Sequence, residues 1–162
     1  MSGKVLVVYY SRAGTTGKIA KEIAGRLGAD IEEIVDKKNR KGIIGWLSAA
    51  RDSRAGNLTE IKKPQREPSL YDLVVIGTPV WSGTISTPIR TYITEYRGSF
   101  RDFALFCTHS QVKDNKALGD METIIGKKPL ASLKLRRKEQ VETGEYTQKV
   151  KEFIEQLRNK HG

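Results

Sequence analysis

The run Val5-Leu-Val-Val-Tyr-Tyr10, which passes without a break into Ser11-Arg-Ala-Gly-Thr-Thr-Gly17, constrains this chain more than any other stretch. An unbroken apolar segment of this length, rich in β-branched and aromatic residues, reads as a strand buried on both faces. Beyond the turn, Ile19, Ala20, Ile23, Ala24 and Leu27 recur at helical spacing, with Lys18, Lys21, Glu22 and Arg26 opposite them and Gly28 as a stop. Strand, tight loop and helix start together make an anion site, because unpaired backbone N–H groups and the positive end of the helix dipole converge there. Ser11, Thr15 and Thr16 add hydroxyls, so a bound phosphate is the first functional expectation. The plainer alternative is that these hydroxyls merely cap the helix.

What the loop lacks narrows the ligand. A nucleoside-triphosphate loop requires G-x-x-x-x-G-K-S/T, but Gly14 and Gly17 stand only three apart and Ile19 occupies the position of the metal-binding hydroxyl. The dinucleotide pattern G-x-G-x-x-G is absent as well. A terminal phosphate held by hydroxyls and backbone amides remains, with no metal and no required lysine.

Two blocks carry a family resemblance. Ser11-Arg-Ala-Gly-Thr-Thr16 resembles the FMN-phosphate loop of the flavodoxin family, which runs hydroxyl residue, any residue, Thr or Ala, Gly, any residue, Thr. Tyr71-Asp-Leu-Val-Val-Ile-Gly-Thr-Pro-Val-Trp-Ser-Gly83 is similar to that family's third strand and the loop beside the isoalloxazine ring. Their order and spacing agree with the family over almost the whole chain.

The remaining pattern alternates strand and helix. The second strand is read at about 30–35, the third at 73–77, the fourth at 103–107 and the fifth at 130–135, with a third helix opening around Pro88 on Ile89, Tyr92 and Ile93, a fourth on Ala117, Leu118, Met121, Ile124 and Ile125, and a last at about 144–160. This alternation predicts a three-layer α/β/α sandwich on a five-stranded parallel sheet, a single domain over residues 1–162. The strand order 2-1-3-4-5 is what the resemblance implies. Between the second and third strands lies a basic insert, 36–57, whose Ile43, Ile44, Trp46, Leu47, Ala49 and Ala50 suggest a short amphipathic helix. The expectation is that this helix packs its Ile and Trp on the sheet, the alternatives being a cover for the ring edge or a partner contact.

Charge and cysteine content exclude several classes. The net charge of +10 invites a nucleic-acid reading, but no reader motif is present and the aromatics do not interleave with the basic residues, so no nucleic acid is expected. The runs around Lys37 to Lys41 and Arg136 to Lys138 are expected to be solvated surface, or else a docking face for an acidic redox partner. No apolar run is long enough to span a bilayer, no membrane insertion is expected, and the first residues do not read as a secretory signal. One cysteine, Cys107, fits a reducing, cytoplasmic setting and should be a buried thiol closing the fourth strand. Paired-cysteine, H-E-x-x-H and G-x-S-x-G motifs are all missing, which leaves side-chain catalysis without actors and no metal site.

In parallel sheets of this kind ligands bind beyond the carboxyl ends of the strands. By the resemblance, FMN phosphate meets Ser11, Arg12, Ala13, Gly14, Thr15 and Thr16. The ring then lies between the loop Thr78, Pro79, Val80, Trp81, Ser82, Gly83 and the loop Thr108, His109, Ser110, Gln111. Trp81 is expected to stack on or edge the ring, or otherwise to brace its loop against the third helix. His109 departs from the small residues or glycine of relatives and is expected to be a solvated loop residue, with a titratable group near the ring as the alternative. The functional expectation is an electron-transfer protein. An FMN-dependent nicotinamide or quinone reductase, or a protein that kept the fold and lost the flavin, are the alternatives.

Overall fold

The computed structural model describes residues 3–110 and 115–161. The elements are β1 (Val5–Tyr9), α1 (Thr15–Leu27), β2 (Asp30–Glu33), α2 (Gly42–Arg54), β3 (Leu73–Trp81), β4 (Thr84–Ile85), α3 (Thr87–Tyr96), β5 (Asp102–His109), α4 (Ala117–Ile125), β6 (Ser132–Arg136) and α5 (Tyr146–His161). The order across the sheet is β2-β1-β3-β5-β6, and every pairing along it is parallel.

The alternation of side chains along the strands divides the core. Val5, Val7 and Tyr9 of β1 join Leu73, Val75, Ala104 and Phe106 under α1 and α5, where Ile19, Ile23, Val150, Phe153 and Leu157 close the layer. Leu6, Val8, Val74, Ile76 and Leu105 face the opposite way, onto Ile89, Tyr92, Ile93, Met121 and Ile125 of α3 and α4. The centre of the sheet tolerates no added volume: a Cβ on Gly77 would stand 2.0 Å from the buried ring of Phe106.

Three features differ from the sequence reading. First, β3 runs to Trp81 rather than ending at Gly77, because β5 continues alongside it (Thr78 opposite Cys107, Pro79 opposite Thr108) and β4 folds back on it (Val80 opposite Ile85, Trp81 opposite Thr84). The expected loop 78–83 is therefore a strand end plus a two-residue hairpin turn. Ser82 and Gly83 have φ of 49° and 81°, the double positive φ of the turn that suits strand twist. Second, β5 extends to His109, so Thr108 and His109 lie in a strand and not in a loop. Third, β6 begins at Ser132 and keeps an edge-strand pattern, with Leu133 and Leu135 buried while Ser132 and Lys134 are exposed.

The insert folds as expected into a helix, but the helix is turned the other way. Gly45, Ala49, Asp52 and Ser53 of α2 are buried, whereas Ile43, Ile44, Trp46 and Leu47 are exposed. Polar contacts fix this orientation. Ser53 Oγ donates to the carbonyls of Trp81 (2.9 Å) and Ile85 (2.6 Å). The buried Arg40 guanidinium donates to Asp36 (2.8 Å) and Asp52 (2.6 Å), and Asp52 also accepts from Lys38 (2.8 Å) and Asn57 (3.3 Å). A Cβ on Gly45 would come within 2.2 Å of the Arg40 backbone, so this glycine lets the helix seat against the preceding loop.

Burial pushes the Asp52 carboxyl up, but hydrogen bonds from Lys38, Arg40, Asn57 and Arg51 outweigh it and hold the group well below the usual carboxylate range. A depressed folded-state value means that the stabilisation is complete above the unfolded carboxyl's pKa of about 3.9 and is lost as pH falls below it. Asp52→Asn, which leaves Arg40 half-paired in a buried site, is expected to cost about 3 kcal/mol at neutral pH and to flatten the loss of stability below about pH 4. Urea unfolding of both proteins between pH 3 and 7 checks this, and an unchanged midpoint at neutral pH would contradict it.

Candidate functional site

The carboxyl ends of β1, β3 and β5 open on one edge of the sheet, and the sequence between β1 and α1 sets the first wall. Gly14 precedes the helix with φ 93°, a left-handed conformation that suits glycine, and having no side chain it cannot cap the helix itself. Ser11 Oγ accepts instead from the Gly14 N–H (3.1 Å), so the hydroxyls do not serve as an ordinary helix cap. Among the described residues, the N–H groups of Thr15, Thr16 and Gly17 have no acceptor, and all three open the positive end of α1. The buried Thr16 hydroxyl hydrogen-bonds Thr108 Oγ1 at 2.8 Å, which ties the loop to the end of β5.

Two cavities adjoin this edge. The smaller, about 120 Å³, is walled by Ser11, Arg12, Ala13, Thr15 and Thr16 of the first loop, by Pro79, Val80 and Trp81 of β3, and by Thr108, His109, Ser110 and Arg137. The larger, about 450 Å³, shares Arg12, Val80, Trp81 and Ser110 with it and continues past Ser82 and Gly83 to Trp46, Ala49, Ala50 and Arg54 of α2. No carboxylate lines either cavity among the described residues, while Arg12, Arg54 and Arg137 do. The joint site is thus electropositive and elongated, narrow at the helix start and wide beside the hairpin.

Trp81 stands at the junction. Its ring meets Tyr10 edge-on (centroids 5.4 Å apart, planes at 88°), the Arg40 guanidinium lies 5.7 Å from its centroid, and its carbonyl accepts from Ser53. Tyr10, Arg40 and α2 thus hold the Trp81 segment in place, and its ring also packs against the core layer that includes Ile89 and Tyr92 of α3. Arg12 is anchored as well, its guanidinium donating to the carbonyls of Arg40 (2.8 Å) and Gly42 (3.2 Å), so it couples the loop after β1 to the start of α2.

Most of the sequence-predicted residues converge here, but Thr78 does not. Its hydroxyl is turned into the hairpin, where it accepts from the Ser86 N–H (3.1 Å) and pairs with Ser86 Oγ (2.9 Å). His109, expected as a solvated loop residue, is buried at the end of β5 opposite Arg136 and faces the smaller cavity, because β5 stays paired with β6 to that point. Gln111 lies outside the described residues. Cys107 is buried as expected, and burial pushes its thiol up to about 12, which leaves no thiolate for chemistry near neutral pH. No group of three His, Cys, Asp or Glu able to hold a metal occurs among the described residues.

The sequence reading missed Ala49, Ala50, Arg54 and Arg137 as site residues. Arg137 belongs to a basic run that looked like surface, and it reaches the site only because a π-helical turn, Arg137–Val141, follows β6.

Residues 4–156 match a protein-family model described as Flavodoxin. Among solved structures, the chain is similar to a Lactobacillus acidophilus NCFM flavoprotein crystallised in complex with FMN, with 25% identity over 82% of this chain and 93% of that one and a TM-score of 0.72. The NMR structure of that flavoprotein's apo-form also matches, with 25% identity, 88% and 97% coverage and a TM-score of 0.64. A flavodoxin from Streptococcus pneumonia TIGR4 shares the fold at 15% identity, 96% and 98% coverage and a TM-score of 0.57. On the match over residues 4–156, the chain belongs to the flavodoxin family.

Proposed function

We propose that this protein binds FMN and works as an electron-transfer flavoprotein. The observation that carries the reading is the helix start. Three N–H groups without an acceptor, an exposed loop turned at Gly14, and hydroxyls from Ser11, Thr15 and Thr16 suit a terminal phosphate and nothing bulkier at that point. The cavity that widens from there beside Trp81 falls within the range of about 300–1,000 Å³ usual for organic ligands, and its walls are the indoles of Trp46 and Trp81, two arginines and small side chains. Likeness to a flavoprotein crystallised with FMN supports the same ligand.

When bound, FMN supplies one- and two-electron redox chemistry, and this chain supplies binding and electrostatics. Thr15, Thr16 and Gly17 would donate to the phosphate through their N–H groups, while the Thr16–Thr108 hydroxyl pair fixes that loop against the sheet. Val80, Trp81, Ser82 and Gly83 would line one side of the ring and Ser110 the other. Arg12, Arg54 and Arg137 surround the cavities with positive charge and would stabilise the negative charge that the bound cofactor gains on reduction. Among the described residues the cavity walls carry hydroxyls, arginines and the His109 imidazole but no carboxylate or thiol, and the carrier is the reading preferred here over an enzyme that acts on a bound substrate. The basic surface leaves an acidic redox protein as the natural electron partner.

Two outcomes are expected. Added FMN should develop structured visible absorption in the purified protein, and riboflavin, which lacks the phosphate, should bind at least a hundredfold more weakly. Equal affinities would rule out the phosphate loop as the anchor. In the FMN-loaded protein, Arg54→Gln should make the second reduction step more negative by ~40 mV, since one charge in a partly solvated cleft is worth about 1 kcal/mol. Anaerobic potentiometry reads this, and an unchanged potential would remove Arg54 from the electrostatic account. Direct bleaching on addition of NAD(P)H would replace the carrier with the reductase.

A further inference from the structure

An amphipathic helix in a folded protein ordinarily turns its apolar side inward, and α2 does the reverse. Ile43 and Ile44 are 80% and 84% exposed, Trp46 and Leu47 are 56% and 55% exposed, and together they form one projecting ridge at the start of the helix. The helix cannot roll to hide them. Its inner face is pinned by Ser53 to two carbonyls of the hairpin, by Asp52 to Arg40 and Lys38, and by Gly45 to the Arg40 backbone. An outward ridge of four large apolar side chains, held there by buried polar contacts, marks a contact surface.

Charge decides what covers it. Residues 36–54 contain Lys37, Lys38, Arg40, Lys41, Arg51 and Arg54 against only two carboxylates, Asp36 and Asp52. Arg40 and both carboxylates are turned inward, their side chains 3%, 3% and 7% exposed, so the exposed charges of this segment are Lys37, Lys38, Lys41, Arg51 and Arg54. Lys37 meets Glu60, and Lys38 and Arg51 meet Asp52, while Lys41 and Arg54 form no ion pair among the described residues. A second copy of this chain would bring the same cationic rim against itself in a symmetric contact, on a molecule of net charge +10. A protein partner needs a groove shaped to the ridge, and protein interfaces are poor in lysine. Aliphatic and indole side chains that project from a cationic rim match the boundary between anionic headgroups and acyl chains, which needs no preformed groove.

We propose that the outer face of α2 seats this protein on an anionic membrane surface, with Ile43, Ile44, Trp46 and Leu47 entering the headgroup boundary and the surrounding lysines and arginines meeting lipid phosphates. No segment crosses the bilayer in this arrangement. Because Trp46, Ala49, Ala50 and Arg54 also wall the larger cavity, the docked molecule would hold that cavity beside the lipid surface.

The test is co-sedimentation of the purified full chain with vesicles of phosphatidylcholine alone or of equal parts phosphatidylcholine and phosphatidylglycerol, at low and high salt. Binding to the mixed vesicles, weak binding to the neutral ones, and a loss of at least tenfold in the exposed-site variant Ile43→Ser/Ile44→Ser are expected, with Lys41→Glu weaker than wild type. Thermal melting of each variant checks that the fold is retained. Failure to bind the mixed vesicles overturns the proposal, and so does equal binding by the double variant, which would reduce the effect to net charge. Concentration-dependent dimers in sedimentation velocity that Ile43→Ser/Ile44→Ser abolishes, without vesicle binding, would assign the ridge to a second copy. Binding to poly-L-glutamate that the same variant loses, again without vesicle binding, would assign it to an acidic protein.

Discussion

The parallel pairing of β1, β3 and β5 is the constraint on which the rest depends. Parallel strands deliver all their carboxyl ends to one edge, and the register sets how far each protrudes: Tyr9 lies opposite Gly77, and Pro79 opposite Thr108. Continuous apolar side chains on both faces hold that register, since a slip of one residue would exchange the two core layers. With the strand ends fixed, α1 can start only where its unpaired N–H groups face the gap that β3 and β5 leave beyond the sheet. The set of unpaired N–H groups at the start of α1 is therefore a consequence of strand packing as much as of the loop's own residues.

A second, local constraint shapes the wide end of the site. Arg40 gathers Asp36 and Asp52 in a buried cluster, lies against Trp81, and receives Arg12 on its carbonyl. One arginine thus links the loop after β1, the hairpin tryptophan and the helix that walls the larger cavity. The tyrosine beneath Trp81 is drawn into the same cluster: burial, and then the nearby Asp36, push the Tyr10 hydroxyl up to about 12, so it stays neutral under the indole. Positive charge is carried into the cavity by arginines, while the insert's carboxylates are spent on internal pairing.

Much of this was legible in the sequence where the signal is local. The apolar runs of β1 and β3, the helical spacing after Thr15, and the hydroxyl and glycine residues of the first loop each state their structure within a dozen residues. What escaped is nonlocal. Where a strand ends depends on its neighbour, so Thr78 to Trp81 and Thr108 to His109 stay extended because β4, β5 and β6 pair with them. Periodicity says which residues share a helix face but not which face turns inward. For α2 that was decided by Gly45, Asp52 and Ser53 finding partners far along the chain, against the pull of Ile43, Ile44 and Trp46. Arg137 entered the site through a turn that no local pattern announces.

In the proposed function the first helix and its loop hold a phosphate by directed N–H groups. Hydrogen bonds to the charged form lower a pKa, and the second ionisation of a phosphate monoester lies near pH 6 in water. The direct measurement is the ³¹P NMR shift of FMN in equimolar complex with the protein, followed from pH 5 to 8. A bound resonance that stays at the dianion position throughout is expected. A resonance that titrates near pH 6, as free FMN does, would contradict it.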